Sequence, residues 1–302
     1  METFPIFLKV AGRRVLVVGG TSAAARKMEL LLAAGAEVTL IAQHVDGEIA
    51  EWLADRRIAW GGAAFDVRAL EDVALVIAAT GDEVRDAEVA RAAEHRQLPV
   101  NVVDRPALSS FIMPAIVDRA PITIAISTGG AAPSLARLLR AEIERALPAA
   151  LGRLARFAET FREQVRRTLA SPRARRLFWD RVFDGRIGEL ALAGDEVAAR
   201  RELIRLLDAA RNAAPPAGAL HVVDASAGDP DLLTLRDHRL LQSADIIVYD
   251  TSISRDVLAM GRRDADRVPA PADEAALVRA GRTVVRLIAG ATALRRDFRF
   301  EP

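Results

Sequence analysis

The chain has 302 residues, of which 51% are apolar, so we expect two or three compact units with a sizeable hydrophobic core. It contains no cysteine, which excludes disulfides and thiolate sites, and its four histidines lack metal-pair spacing, so we expect no resident metal. No apolar run reaches the roughly 18–20 residues of a membrane helix and no signal-peptide pattern is present, so we expect a cytoplasmic protein with no membrane partner.

The net charge is only +1, but the charges are unevenly distributed along the chain. Residues 151–211 carry 14 basic and 9 acidic side chains, and Lys9 and Lys27 are the only lysines among the basic residues of the chain. A codon bias and a carboxylate-rich ligand, which arginine binds in bidentate fashion, would explain this excess of arginine equally well. Nucleic acid is disfavoured as a partner because aromatic residues make up only 5% of the chain and no basic run is interleaved with them.

The first elements predicted along the chain alternate between strands and helices. A strand at Arg14–Val18 leads to a helix at Ala23–Ala34, which ends at Gly35 and has Leu30, Leu31 and Leu32 on its inner side. The further predictions are a strand at Glu37–Ala42, a helix at 47–56, a strand at Ala74–Ala79, a helix at Glu83–Glu94 and a fourth strand at Val100–Val103. Because each strand is a continuous apolar run, this order predicts an α/β fold with a Rossmann-like parallel sheet covered on both faces.

The remaining elements predict three further regions. A strand at Ile122–Thr128 precedes a glycine pair and a helix that begins near Pro133, and residues 149–211 have a wholly helical pattern. A Pro/Gly/Ala-rich linker at 212–219 then leads to strands at Leu220–Val223 and Ile246–Tyr249 with a helix between them. The expected architecture is thus a parallel sheet, a strand–helix unit, an all-helical domain and a partial α/β segment.

A glycine-containing loop follows the first predicted strand and begins the first helix. Its residues are Gly19, Gly20, Thr21, Ser22, Ala23 and Ala24. In a dinucleotide-binding fingerprint, Gly19 would make the turn, and Ala24 would allow close packing of helix against strand. Thr21 stands where the second glycine is expected, so its Cβ would crowd the phosphates, although its hydroxyl and the helix N-terminus could donate to them. A Gly-Gly turn that merely joins a strand to a helix is the alternative.

The acidic residue that usually binds the ribose about 20 residues further on is missing, because the second strand ends in Ile41-Ala42-Gln43-His44. An adenosine contact at this position would come from the backbone, Gln43 or His44. The pattern therefore fits NAD and NADP equally.

Several long strings match one known family in order and spacing. They are Leu8–Gly20, Ala25–Lys27, Ile77–Thr80, Asn101–Asp104, Ser110–Arg119, Ile126–Arg140 and Arg176–Trp179. Through these strings the chain, to about residue 211, resembles the siroheme synthase family, in the part that acts as precorrin-2 dehydrogenase and sirohydrochlorin ferrochelatase.

The resemblance implies a homodimer with an NAD-binding Rossmann domain at 1–113, a dimerisation region at 114–148 and a helical tetrapyrrole-binding domain at 149–211. It also implies that NAD oxidises precorrin-2 to sirohydrochlorin and that ferrous iron is then inserted in the same cleft. The arginine excess at 151–211 agrees with a substrate that carries eight carboxylates.

Asp104 matches the catalytic aspartate of the family, and it follows a strand at the edge where open α/β sheets bind their ligands. One carboxylate there could accept a proton during oxidation and the pyrrole protons during metallation. An Asp that caps the turn before Arg105-Pro106 is the alternative. We place Thr80 with the cofactor-binding residues, and the expected substrate cleft contains Asn101, Thr128, Gly129, Gly130 and Arg137. Thr128 could equally be a turn residue at a strand end.

The segment at 220–302 resembles the beginning of a uroporphyrinogen-III C-methyltransferase domain, through Gly228–Arg236, Ala244–Asp250 and Arg262–Val268. Asp250 matches the catalytic aspartate of that domain. In the methyl-donor loop, Asp224, Ser226 and Ala227 replace two glycines and a proline, so side chains stand where backbone approached the ligand. The chain also ends before a domain of that type is complete. We therefore expect a truncated segment without methyltransferase activity, which is a folded relic, an interaction module or partly disordered.

Two alternatives compete with the dehydrogenase. In the first, Thr21 impairs NAD binding and only iron insertion remains. In the second, the chain is a non-catalytic tetrapyrrole-binding or scaffold protein, as the altered C-terminal segment suggests.

Overall fold

The computed structural model of the protein describes residues 3–212 and 217–290. Within these residues, one compact unit extends to Thr160 and includes Leu190–Asp195, and the other comprises Phe161–Glu189 and the residues from Glu196 onward. The predicted linker at 212–219 lies partly outside the described residues, as does the end of the predicted methyltransferase-like segment, at 291–302.

The first unit begins with alternating strands and helices. In chain order these are β1 (Arg14–Val18), α1 (Ser22–Ala33), β2 (Glu37–Ile41), α2 (Gly47–Ala54), β3 (Ala59–Gly62), β4 (Val76–Ala78), α3 (Glu83–His95) and β5 (Val100–Val102). The five strands form one parallel sheet in the order β3-β2-β1-β4-β5. This confirms the predicted Rossmann-like fold.

Both faces of this sheet are buried. Along β1, Val15 and Val17 point to one face and pack in a cluster with Met28 of α1, whereas Leu16 and Val18 point to the other face, in a cluster with Val89 of α3. Side chains alternate between the faces of a strand, and covering both faces requires apolar residues at every position. Each of these fully buried side chains contributes about 1.5–3 kcal/mol.

One strand of this sheet was not predicted. The strand β3 has the sequence Ala-Trp-Gly-Gly, lies at the edge of the sheet and is mostly exposed. An exposed edge strand does not need an apolar run, and glycine weakens the strand pattern. The predicted fourth strand is therefore the fifth, at Val100–Val102.

The helix α1 ends as predicted, but the prediction for its inner face was partly wrong. Gly35 has a φ of +75°, and the N–H of the next residue, Ala36, donates to the Leu31 carbonyl at 3.0 Å, which closes the helix in a Schellman motif. Leu31 is buried and Leu32 packs against the core, but Leu30 is exposed. With 3.6 residues per turn, three consecutive side chains cannot all face the sheet.

A strand–helix unit follows the five-stranded sheet within the first compact unit. The strands β6 (Ala115–Arg119) and β7 (Ile122–Ile126) form an antiparallel pair, and α4 (Pro133–Ala146) follows with Pro133 at its first turn. The position of α4 agrees with the predicted start near Pro133. The strand β6 was not predicted separately.

The predicted helical region contains α5 (Leu151–Thr168), α6 (Pro172–Phe183), α7 (Arg186–Ala193) and α8 (Glu196–Asn212). In the second unit, α6 packs against α8, with Phe178 and Val182 buried on α6 and Leu203 and Leu207 buried on α8. None of the helices in the described part of the chain is long and apolar enough to cross a membrane.

Residues 217–290, which we call the methylase-like segment, fold as a small α/β sheet. Its elements are β8 (Ala219–Asp224), α9 (Leu235–Ser243), β9 (Ile246–Tyr249), α10 (Arg255–Ala259), β10 (Asp266–Pro269), α11 (Glu274–Arg279) and β11 (Thr283–Ile288). The four strands are parallel in the order β10-β9-β11-β8. Ile247, Val285 and Leu287 lie in one buried cluster, and Ile246 and Val248 in another. The segment thus has a core of its own, as the predicted partial α/β segment requires.

Candidate functional site

The candidate site lies at the carboxyl edge of the five-stranded sheet. Because β1, β2, β4 and β5 are parallel, the loops that follow them meet at one edge. These loops contain most of the site residues predicted from the sequence, at 19–24, 43, 44, 80 and 104.

The backbone at Gly19 and Gly20 leaves no room for a side chain. Gly19 has a φ of +120°, and a Cβ there would lie 2.2 Å from the Ala79 carbonyl oxygen. A Cβ on Gly20 would lie 2.0 Å from the carbonyl oxygen of His44 and 3.0 Å from the Cβ of Ala42. The loop after β1 is therefore packed directly against the loops after β2 and β4. A Gly-Gly turn that merely joins a strand to a helix would not require such close packing.

Thr21 is the N-cap of α1 and has an extended backbone, with φ −86° and ψ 170°. Its exposed side chain makes no capping hydrogen bond. The first N–H groups of an α-helix, here those of Ser22, Ala23 and Ala24, have no partner within the helix and favour an anion. Ala24 is fully buried against the sheet, as predicted for the third position of the fingerprint.

The side chains of Gln43 and His44 are exposed at the end of β2. Their backbone is fixed by the loop after β1, because the Asp46 N–H donates to the Gly20 carbonyl at 2.9 Å. The backbone of this loop thus lies next to Gly20, at the edge where the sequence predicted an adenosine contact.

Thr80 also lies at this edge, but its hydroxyl and its backbone N–H already have hydrogen-bond partners. Its hydroxyl donates to Oδ1 of Asp86 at 2.7 Å, and its backbone N–H donates to the same oxygen at 3.1 Å. Asp86 is buried on α3 and was not singled out in the sequence, because a single acidic residue in a helix is usually solvated. The pair holds the turn after β4 against Gly19, so Thr80 would contact a ligand through its backbone or methyl group.

Asp104 lies two residues beyond β5 and is exposed. Its φ is +60°, a conformation that Asp and Asn tolerate better than most residues. Among the described residues, none donates a hydrogen bond to its carboxylate, and Arg105, not Asp104, caps the short helical turn that begins at Pro106. Asp104 nevertheless lies in a turn that the Arg105 N–H closes by donating to the Val102 carbonyl at 3.2 Å, so the residue has a place in the turn while its carboxylate makes no cap among the described residues.

Lys27 on α1 is near enough to Asp104 for the charge of the carboxylate to act on it. Its pKa is lowered from the ordinary value of 10.5, chiefly by burial and then by Arg26, whereas the charge of Asp104 opposes this lowering. The sequence offered one signal for this residue, since lysine is rare in a chain so rich in arginine.

Asn101 is buried in β5, and its amide donates to the Phe111 carbonyl at 2.9 Å. Two hydroxyls bind the same strand, because Ser110 accepts from the N–H of Val100 at 2.8 Å and Ser109 accepts from that of Val102 at 2.9 Å. The side chain of Asn101 thus fastens residues 109–111 to the edge strand that leads to Asp104.

The predicted cleft residues at 128–137 form a separate group in the structure. Gly129 and Gly130 have φ values of +65° and +86°, and the hydroxyl of Thr128 accepts from the Ala132 N–H at 3.3 Å, as in a turn at a strand end. Arg137 is exposed on α4. No hydrogen bond or ion pair within the described chain joins this group to the loops around Asp104.

The methylase-like segment has two acidic residues at the carboxyl edge of its own sheet. Oδ1 of Asp224 accepts from the Ser226 N–H at 2.9 Å, and hydrogen bonds from Ser226 lower the pKa of this carboxyl. Asp250 is paired with Arg286 at 2.8 Å. The side chain of Asp224 thus binds the backbone of the predicted methyl-donor loop itself.

Four family models match successive parts of the chain. A family of NAD(P)-binding domains matches residues 6–115, and the sirohaem biosynthesis protein central region matches 119–146. The sirohaem synthase dimerisation region matches 150–207, and the tetrapyrrole (corrin/porphyrin) methylases match 219–297.

Curated relatives and one solved structure agree with these matches. Over 89% of this chain, it is 50% identical to the siroheme synthase of Methylococcus capsulatus and 46% identical to that of Methylobacillus flagellatus, and it spans 57% of the length of each. The structure of SirC, a precorrin-2 dehydrogenase, matches with a TM-score of 0.54 at 24% identity, over 68% of this chain and 100% of SirC, which supports the fold. The chain is therefore similar to siroheme synthases over just over half of their length.

Proposed function

We propose that this chain oxidises precorrin-2 to sirohydrochlorin with NAD. The observation that carries the proposal is the juxtaposition, at one sheet edge, of a glycine loop without space for side chains and a carboxylate without a hydrogen-bond partner among the described residues. The similarity to siroheme synthases and the NAD(P)-binding match support the choice of substrate and cofactor.

Each residue of the edge has a distinct role in this proposal. The N–H groups of Ser22, Ala23 and Ala24 bind the diphosphate of the dinucleotide, and Gly19 and Gly20 allow it to approach the backbone. Gln43 and His44 bind the adenosine end. NAD, when bound, supplies the hydride acceptor for the oxidation.

Asp104 accepts the proton that the macrocycle loses together with the hydride. The ammonium group of Lys27 is the nearby charge on which Asp104 acts. The same carboxylate would remove pyrrole protons when ferrous iron, the second substrate, is inserted to give sirohaem. Iron insertion therefore uses the same cleft.

The substrate cleft in this proposal also needs the arginine-rich helices and the loop at 128–130. Arginine side chains of the helical domain at 149–211 bind carboxylates of the tetrapyrrole. The chain works as a homodimer in this proposal. The sequence predicted dimerisation through 114–148, whereas the family model of the dimerisation region matches 150–207, so the proposal includes both regions in the interface. Asn101, Thr128, Gly129, Gly130 and Arg137 contact the macrocycle.

We further propose that this chain does not transfer methyl groups. The Ser226 N–H, which a glycine loop would present to a ligand, is bound by the Asp224 side chain. The charge of Asp224 would also stand at the ligand position. Equilibrium dialysis of this chain against S-adenosylmethionine should therefore show no saturable binding.

The decisive experiment is anaerobic incubation with precorrin-2 and NAD, followed by the absorbance of sirohydrochlorin. Asp104→Asn is the sharpest variant, because Asn tolerates a φ of +60° and removes only the carboxylate. We expect turnover to fall by about 10²–10⁴-fold, the usual contribution of a general base, with an unchanged Kd for NAD.

Asp72→Asn is the matched control, since Asp72 is also exposed and has a φ of +56°, but lies away from the carboxyl edge of the sheet. This variant should turn over at the wild-type rate. Full activity of Asp104→Asn would remove Asp104 from the mechanism. Wild-type protein that inserts iron but does not bind NAD would instead favour the chelatase-only alternative, and absence of both activities would favour a scaffold.

A further inference from the structure

A buried carboxylate in the methylase-like segment is bound by arginines of the helix α6. Oδ2 of Asp245 lies 2.9 Å from Nε of Arg173, and Oδ1 lies 2.7 Å from Nη2 of Arg176. The side chain of Asp245 is only 6% exposed, and those of the two arginines are 17% and 21% exposed. Between 69 and 72 residues of sequence separate these partners.

The contact continues onto the backbone and a neighbouring strand. Nη2 of Arg173 donates to the hydroxyl of Thr283 at 3.2 Å, and Nη1 of Arg176 donates to the Ser243 carbonyl at 3.3 Å. Oδ2 of Asp245 also accepts from the Thr283 N–H at 2.9 Å. One carboxylate therefore connects α6 with the starts of β9 and β11.

This cluster lies at the amino edge of the four-stranded sheet. Asp245 directly precedes β9 and Thr283 begins β11, whereas Asp224 and Asp250 follow β8 and β9 at the opposite edge. The contact is therefore separate from the edge where Asp224 and Asp250 lie and where a methylase would bind its ligands.

Because the charged groups of this contact are buried, their desolvation costs free energy. A guanidinium group stays charged at any physiological pH, so its removal from water requires an opposite charge and well-placed acceptors. Arg262 approaches Asp245 at 3.9 Å, but it pairs more closely with Asp264, at 2.7 Å. Asp245 thus supplies the buried carboxylate that Arg173 and Arg176 both face.

We propose that the methylase-like segment is a docking partner of α6, and that the charge of Asp245 holds the two together. The segment stabilises the helical region through the amino edge of its own four-stranded sheet. This contact does not depend on methyl transfer. This role accounts for a folded segment whose methyl-donor loop is altered. It is independent of the proposed oxidation.

The chain contains natural spectroscopic probes for both sides of this contact. Trp179 lies on α6, and Tyr249, at the end of β9, is the single tyrosine. In the full chain labelled with fluorotryptophan and fluorotyrosine, ¹⁹F NMR gives one tyrosine signal and three tryptophan signals, which Trp→Phe variants assign. Trp52, which is buried in the first unit, is an internal reference.

In a urea titration of the wild type, the Trp179 and Tyr249 signals should change together. In Asp245→Asn, which keeps the shape but removes the charge, we expect the Trp179 midpoint to fall by about 1 M or more, while the Trp52 midpoint stays within error. Asp266→Asn is the matched control, because it removes an exposed ion pair with Arg282 at the same edge, with side-chain exposures of 67% and 41%. It should leave both midpoints unchanged.

A role for Asp245 within its own sheet alone would shift Tyr249 and leave Trp179 unchanged, and this result would overturn the proposal. If Asp245→Asn does not fold, Arg176→Met provides the test from the other side, and the Tyr249 midpoint should then fall. Where both single variants fold, the double variant should be no less stable than Asp245→Asn alone, because the two changes remove one interaction. Additive effects of the two changes would also overturn the proposal.

Discussion

At the scale of single residues, Lys27 combines a structural disadvantage with a place beside the candidate catalytic carboxylate. Its half-buried ammonium group has a lowered pKa, mainly because burial disfavours the charge, and Asp104 only partly offsets this. A charged group kept in an unfavourable position is typical of functional sites, where stability is given up for activity.

We therefore expect Lys27→Met to be at least as stable as the wild type at pH 7 and less active in the oxidation. The sign follows from linkage: a folded-state pKa below 10.5 means that the unfolded chain binds more protons, so this group adds stability as the pH rises toward 10.5. Urea unfolding of both proteins between pH 7 and pH 10 checks this, because the variant should lack that increase.

Lys27→Arg separates charge from shape in the same assay. It keeps the positive charge near Asp104 and should retain more oxidation activity than Lys27→Met. A lower stability of Lys27→Met at pH 7 would show that Lys27 is a structural residue and contradict this assignment.

At the scale of secondary structure, the strand β5 shows how the edge of a sheet is completed without another strand. The hydroxyls of Ser109 and Ser110 bind the N–H groups of Val102 and Val100, and the amide of Asn101 binds the Phe111 carbonyl. These side chains replace the hydrogen bonds of a neighbouring strand and fix the chain just before Asp104.

Ser110→Ala should destabilise the protein by about 1–3 kcal/mol, because the buried N–H of Val100 loses its acceptor. Urea unfolding monitored by circular dichroism measures the change. Ser134→Ala is the control, since Ser134 is exposed on α4 and alanine favours the helix. Equal stability of the two variants would mean that water replaces the hydroxyl at β5.

The sequence predicted elements whose identity depends on local pattern. β1 was predicted with its observed bounds because its apolar residues leave no alternative to a buried strand, whereas the exposed β3 has no such pattern. The loop at 19–24 and Asp104 were found by motif and resemblance, but the left-handed backbone of Asp104 was not. The pairs Thr80–Asp86 and Arg176–Asp245 depend on which residues the fold brings together, and no local pattern specifies that.

At the scale of the whole molecule, one helix presents an apolar surface that the single chain does not cover. Leu135, Leu138 and Leu139 of α4 are 49%, 59% and 41% exposed, whereas Ala136 of the same helix is buried. Exposed apolar side chains that cluster on one helix are characteristic of an interface. The expected homodimer gives this surface a partner.

Leu138→Glu should therefore convert a dimer into a monomer without unfolding the chain, because a glutamate buried in an interface would be an unpaired charge. Light scattering coupled to size exclusion measures the mass, and circular dichroism checks the fold. Val84→Glu is the control, since Val84 is 74% exposed in the first turn of α3, where an acidic side chain is favourable. A Leu138→Glu protein that remains dimeric would exclude α4 from the interface, and a monomeric wild type would contradict the homodimer itself.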